Sequence, residues 1–169
     1  MLEIVNYPAP VLLTVGKPVE HFDDQLKNFV EDMFETMYHA KGLGLAAPQV
    51  ADSRRIFVMD CSHEEDEAQR IAAINPEVIY VEGEQNGDEG CLSFPGLYVP
   101  VTRHQRAILR AQDVKGNWFE LDGSELTARC ILHETDHCDG IVFLDRMTIL
   151  KREMAKRKIK RLQKTGKWE

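Results

Sequence analysis

No run of apolar residues approaches the roughly 20 needed for a membrane-spanning helix, and residues 1–9 lack the apolar core of an export signal. A cytoplasmic location is therefore expected. Internal repeats, low-complexity tracts and interior linkers are also missing. A chain of 169 residues can bury its own core, so a single domain over residues 1–169 is expected, with residues 147–169 as a basic helical extension. Cysteine is sparse: Cys61, Cys91, Cys130 and Cys138 are the four present. Without an export signal they should remain thiols, available as metal ligands or nucleophiles. The glycine-rich stretch over residues 42–49 lacks the Lys and Ser/Thr of a phosphate-binding loop.

The remaining composition, 43% hydrophobic and 29% charged, is that of an ordinary globular protein. Its net charge of −7 is unevenly spread. Residues 151–169 hold nine Lys and Arg against Glu153 and Glu169, or +7, which leaves 12 basic and 26 acidic residues, or −14, in the rest. Such asymmetry suits an arm for an anionic partner, or equally a solvated helix face.

Leu26, Phe29, Val30, Met33, Phe34 and Met37 recur at amphipathic helical spacing. This predicts a helix over residues 23–40, capped by Asp23 or Asp24 and ended by Gly42. Short β-rich runs follow at residues 56–59, 78–81, 99–102, 107–111 and 118–121, separated by turn residues. Beyond Ser124, Leu126, Cys130, His133 and His137 advance in steps of four, three and four along one face of a second helix. Helix, strands, helix predicts an α+β fold: N-terminal helix, mainly antiparallel strands, a central metal-binding helix and a basic C-terminal helix.

The segment His133-Glu134-Thr135-Asp136-His137 carries the strongest chemical signal. Two imidazoles four residues apart can bind one cation, with Glu134 beside it as a base. Both histidines continue an apolar line, where unpartnered rings would be costly to bury. A catalytic site needs a third protein ligand. A metzincin would place a histidine where Phe143 stands, and Glu153 is an early, poorly placed substitute. Cys91, in the turn-rich run Glu89-Gly90-Cys91-Leu92-Ser93, offers a thiolate suited to zinc or iron and is the preferred third ligand. Cys130 competes, although one turn before His133 it suits core packing; Cys138 should point about 100° away from His137. In Gly42-Leu43-Gly44-Leu45-Ala46-Ala47-Pro48-Gln49 the small residues permit close backbone approach, and the Gln49 amide can donate to a developing oxyanion.

Together these three segments resemble the three motifs of peptide deformylases, in order and over nearly the whole chain. The resemblance implies removal of the formyl group from N-formylmethionine at the start of nascent polypeptides. It implies one divalent ion, usually Fe(II), with Zn(II), Ni(II) or Co(II) as alternatives. Leu132 replaces the family's usual Gln, Cys138 a frequent Leu, and Tyr98 an Arg that many members use to hold substrate backbone.

On this reading Cys91, His133 and His137 bind the metal, and water acidified by it attacks the formyl carbon. Glu134 acts as general base and then acid, while Gln49 and the Leu92 backbone N–H meet the oxyanion. The family analogy sets the methionine pocket near Leu43, Leu126, Cys130 and the stem of Arg129, with Gly44, Gly90 and Tyr98 also at the substrate. The basic tail, with Met147, Leu150, Met154, Ile159 and Leu162 forming a docking face, makes the ribosome a candidate partner. Two rivals remain at this stage: a zinc endopeptidase, and a closed structural zinc site using Cys91, Cys138, His133 and His137.

Overall fold

The computed structural model describes residues 1–62 and 69–168. Helix α1 (Asp24–His39) starts where the Asp23 carboxylate accepts the Leu26 N–H at 3.0 Å, an N-cap that satisfies one orphan donor of the first turn. Its end differs from expectation. Lys41, at φ 59°, is the left-handed residue, with Lys41 N–H bonded to Tyr38 O and Gly42 N–H to Met37 O. This is the double bond pattern of a Schellman close. Gly42 is therefore one residue past the αL position.

Five strands, β1 (Gly44–Ala46), β2 (Ile56–Met59), β3 (Ile71–Glu82), β6 (Arg106–Gln112) and β7 (Trp118–Ser124), form an antiparallel sheet in the order β1-β2-β3-β6-β7. A separate ribbon pairs β4 (Gln85–Cys91) with β5 (Phe94–Arg103). The five expected runs all lie within strands, but two strands were not expected. β1 sits inside the small-residue stretch, and β4 inside a segment that reads as turn-rich. β3 also begins earlier than residue 78, because Asn75 takes a left-handed bulge (φ 53°) instead of ending the strand. Its side chain replaces ladder bonds: Oδ1 accepts from Val19 N, and Nδ2 donates to Val19 O and Gln112 Oε1.

Pleat alternation divides the core. Ile56 and Val58 of β2 face Leu26, Val30, Met33 and Met37 of α1, whereas Phe57 and Met59 face the other way. There they meet helix α2 (Leu126–Cys138) through Ala128, Ile131 and Cys138. The sheet thus lies between two helices, the α+β architecture expected. β7 runs into α2 directly through Glu125 at φ 54°, and no side chain caps the helix start.

A third cluster joins Phe94, Leu97 and Val101 of the ribbon to Phe143, Leu144 and helix α3 (Ile149–Lys164). α3 docks through Ala155 and Ile159, with Leu162 partly buried, while Trp168 packs edge-on to Phe94 and donates Nε1–H to Tyr7 O at 2.7 Å. Leu150 and Met154 do not join the docking face, being 71% and 61% exposed. Among the described residues no helix is long and apolar enough to cross a membrane.

Candidate metal centre

The β4–β5 ribbon turns through only two residues, Leu92 and Ser93, since Cys91 pairs with Phe94. That tight turn, after a register shift at Gly90/Cys91, aims Cys91 at the buried face of α2. His133 and His137 stand one helical turn apart on that face. Cys91 Sγ is 3.4 Å from His137 Nε2, and the two Nε2 atoms are 3.2 Å apart. The three donor atoms all lie within 4.8 Å of one another. Tetrahedral bonds of about 2.0–2.3 Å separate neighbouring donors by about 3.3–3.8 Å, so this set fits one divalent ion of the zinc or ferrous kind.

The competing ligands are turned elsewhere. Cys138 is sealed in the core with Sγ 3.8 Å from Ile56 O, Cys130 Sγ lies 3.0 Å from Cys61 Sγ, Phe143 packs against Phe94, and Glu153 is exposed on α3.

The two histidines are shifted in opposite directions. His133 is pushed well above its ordinary pKa: burial opposes this, but the charge of Glu134 and the hydrogen bonds of Cys91 and Glu89 outweigh it. His137 is held well below by burial and by the charges of His133 and Arg103, and so is a neutral imidazole. Its Nδ1 is buried without a partner among the described residues. Glu134 is buried with Oε1 likewise unpartnered among them, and desolvation raises its pKa to about 7. This is the range in which a carboxylate can exchange protons near neutrality. Room for that carboxylate depends on Gly44, where a Cβ would collide with Glu134 Oε2.

Gln49 is held rather than free. Its Oε1 accepts from Ala46 N at 2.9 Å, while Nε2 donates to Ser93 Oγ at 3.2 Å and approaches Cys91 Sγ at 3.5 Å. Backbone bonds from Val5 N to Gln49 O and from Tyr7 N to Ser93 O strap this corner.

The remaining residues picked from sequence line one cavity of about 410 Å³ that also exposes Cys91, His133 and Glu134: Leu43, Gly44, Gly90, Leu92, Tyr98, Leu126, Arg129 and Cys130. Leu43 and Leu126 are half-exposed at its rim, and Tyr98 is 72% exposed. The Tyr98 ring lies over Gly90, where a Cβ would come within 2.5 Å of Cε1. Arg129 lines this cavity while its head is turned away from solvent. Its guanidinium is buried, donating to Glu89 Oε2 at 2.6 Å and Val101 O at 2.9 Å.

Sequence reasoning assigned no role to the support behind the ligands. Glu89 accepts from Arg103 Nε and Nη2, both at 2.9 Å, from Arg129 Nη1, and lies 2.6 Å from His133 Nδ1. These partners hold its carboxyl far below the usual range despite burial. Arg103 reaches on to Asp136 at 2.7 Å, which Arg146 also grips. Glu89 and Asp136 both lie inside the motifs, which was the available signal.

The polypeptide deformylase family model matches residues 1–153. The chain is 47% identical over 165 residues to the peptide deformylase of Acidobacterium capsulatum, covering 98% of this chain and 97% of the relative. It is 50% identical over 164 residues to that of Chromobacterium violaceum, covering 97% of each. Crystal structures of a Legionella pneumophila peptide deformylase (TM-score 0.90, 40% identity, 100% and 99% coverage) and of a plant peptide deformylase (0.91, 39%, 97% and 90%) share its fold. The chain belongs to the peptide deformylase family, metal-dependent hydrolases that remove the formyl group from N-formylmethionyl peptides.

Proposed function

We propose that Cys91, His133 and His137 hold the catalytic ion and that Glu134 is the general base and acid of deformylation. The observation that carries this reading is the convergence of the three donor atoms within 4.8 Å, two of them from residues, Cys91 and His133, that line a cavity shared with Glu134, whose Oε1 has no partner among the described residues. A thiolate with two imidazoles suits Fe(II), our proposed resident ion, and also accepts Zn(II), Ni(II) or Co(II). Such an ion supplies Lewis acidity, polarising the formyl carbonyl and acidifying water.

The protein does the rest. Glu134 Oε1, free of other partners, takes the water's proton and returns it to the departing amine nitrogen. Gln49, pinned through Oε1 and Ser93, presents Nε2 toward the developing oxyanion beside the Leu92 N–H. Leu43, Leu126 and Cys130 offer an apolar wall for the methionine side chain, with Gly44, Gly90, Arg129 and Tyr98 completing the substrate contacts. Turnover of formyl-Met peptide but not of an unformylated one, by protein with one bound metal, tests this assignment. In Glu134→Ala metal should remain while turnover is lost; full activity would remove Glu134 from the mechanism.

The same proposal takes nascent chains at the ribosome as the source of substrate, and the cytoplasm as the location. Support comes from α3, whose exposed Arg157, Lys160, Arg161 and Lys164 surround no acidic partner on the helix face beyond Glu153. Because Ile159 and Trp168 are core residues, deleting the tail would damage the fold. Replacing those four cations with Ala should instead weaken salt-sensitive ribosome binding; unchanged binding would remove the ribosome from the proposal.

A further inference from the structure

Cys61 follows β2 and Cys130 lies on α2, one turn before His133, yet their sulfurs are 3.0 Å apart. Neither has a role in deformylation as proposed above beyond Cys130's place in the cavity wall. Cys61 is only half-buried, so a small oxidant has access to it, whereas Cys130 is buried behind it. Closing the gap to a bonded S–S distance of about 2.05 Å needs a shift of about 1 Å. Their contact draws the Cys61 thiol below its ordinary pKa and raises that of Cys130. The half-exposed sulfur is then the better nucleophile and the buried one the resolving thiol. Disulfides in reducing compartments are characteristically transient and regulatory.

We propose that Cys61 and Cys130 form a reversible disulfide that closes part of the methionine pocket to substrate. With hydrogen peroxide as oxidant, the Cys61 thiolate attacks one oxygen and becomes a sulfenic acid, releasing hydroxide. The Cys130 thiol then displaces water from it, forming the S–S bond, so two thiols and one peroxide yield one disulfide and two waters. A dithiol reductant reverses the bond by exchange. Pulling Cys130 toward β2 moves one wall of the cavity next to Leu126 and ties α2 to the sheet. The consequence for substrate rests on the pocket proposed above, whereas formation of the bond does not.

The test uses the metal-loaded full chain, treated with peroxide or with an oxidised low-molecular-weight disulfide. Intact mass should fall by two hydrogens, and trypsin should release peptide 56–70 joined to peptide 130–146, with fragmentation placing the link at Cys130 and not at Cys138. Reductant should reverse it, and KM for formyl-Met peptide should rise several-fold while the link is present. Cys61→Ser should keep the untreated KM and lose both the link and the oxidant effect. Absence of the link, or a link at Cys91 or Cys138, overturns the site. A link with unchanged KM overturns its control of the pocket, and because mass reports the bond directly, that result is separable from a failure of the deformylase assignment.

Discussion

His133 Nδ1 and Glu89 Oε1 stand 2.6 Å apart, so the imidazole is oriented from behind by a carboxylate 44 positions away in the sequence. Nδ1 donates to the carboxylate in this pairing, so it is Nε2, facing Cys91 and His137, that can give up its proton and present a lone pair to a cation. Such partners raise ligand basicity and fix ring orientation.

Glu89→Gln should therefore weaken metal affinity by about 10–100-fold, measured by competition with a chelator of known strength. Glu89→Ala should do more, stranding the buried Arg103 and Arg129 guanidiniums and lowering stability by about 3–5 kcal/mol. Denaturant melts of metal-free protein isolate that second effect; an unchanged midpoint would show that the two arginines find other partners.

At Gly44 the expected effect is on turnover. A Cβ there meets the Glu134 carboxylate and must displace it, and an error of about 1 Å in a catalytic group costs about a hundredfold in rate. Gly44→Ala should therefore lose kcat while keeping stoichiometric metal. Loss of metal instead would mean that the strain reaches His133 or His137.

Asp60 makes stability depend on acid. Burial raises its pKa, but hydrogen bonds from Ser62, Tyr38 and the Gln69 N–H outweigh this and lower it to about 2. Since the folded value is depressed, its contribution is complete above the unfolded pKa of about 3.9 and is lost as pH falls through about 2. The melting-temperature gap between the wild type and Asp60→Asn should shrink over that window. A gap that is constant from pH 5 to 2 would assign the effect to shape rather than charge.

Helix α3 invites a paired comparison. Trp168→Ala removes a ring packed on Phe94 and should cost about 3–5 kcal/mol. Leu150→Lys, on the exposed face, should stay within about 0.5 kcal/mol. Equal melting temperatures for the two variants would contradict the docking of the tail.

Much of the site was legible because it depends on local geometry. His133 and His137 share a face by the helical period alone, and α1 was placed to within one residue at each end by its apolar stripe and Asp23. Cys91 needed thiolate chemistry as well as position. β4 was not legible, since Gln85–Cys91 is polar with two glycines and is held by backbone pairing to β5 rather than by a buried face. The grip of Arg103 and Arg129 on Glu89 spans 14 and 40 positions, and the Cys61–Cys130 contact spans 69. Pairings of that range follow from strand register and helix placement, which no local pattern encodes. The Schellman close at Lys41 was missed because glycine is the default residue for the left-handed position.

The Trp168 to Tyr7 hydrogen bond joins positions 161 apart, and both rings cover Phe94, three residues beyond Cys91. Through Phe94, the strand that follows the Cys91 turn is therefore packed by rings from opposite ends of the described residues, so loosening the tail should also loosen the backing of Cys91.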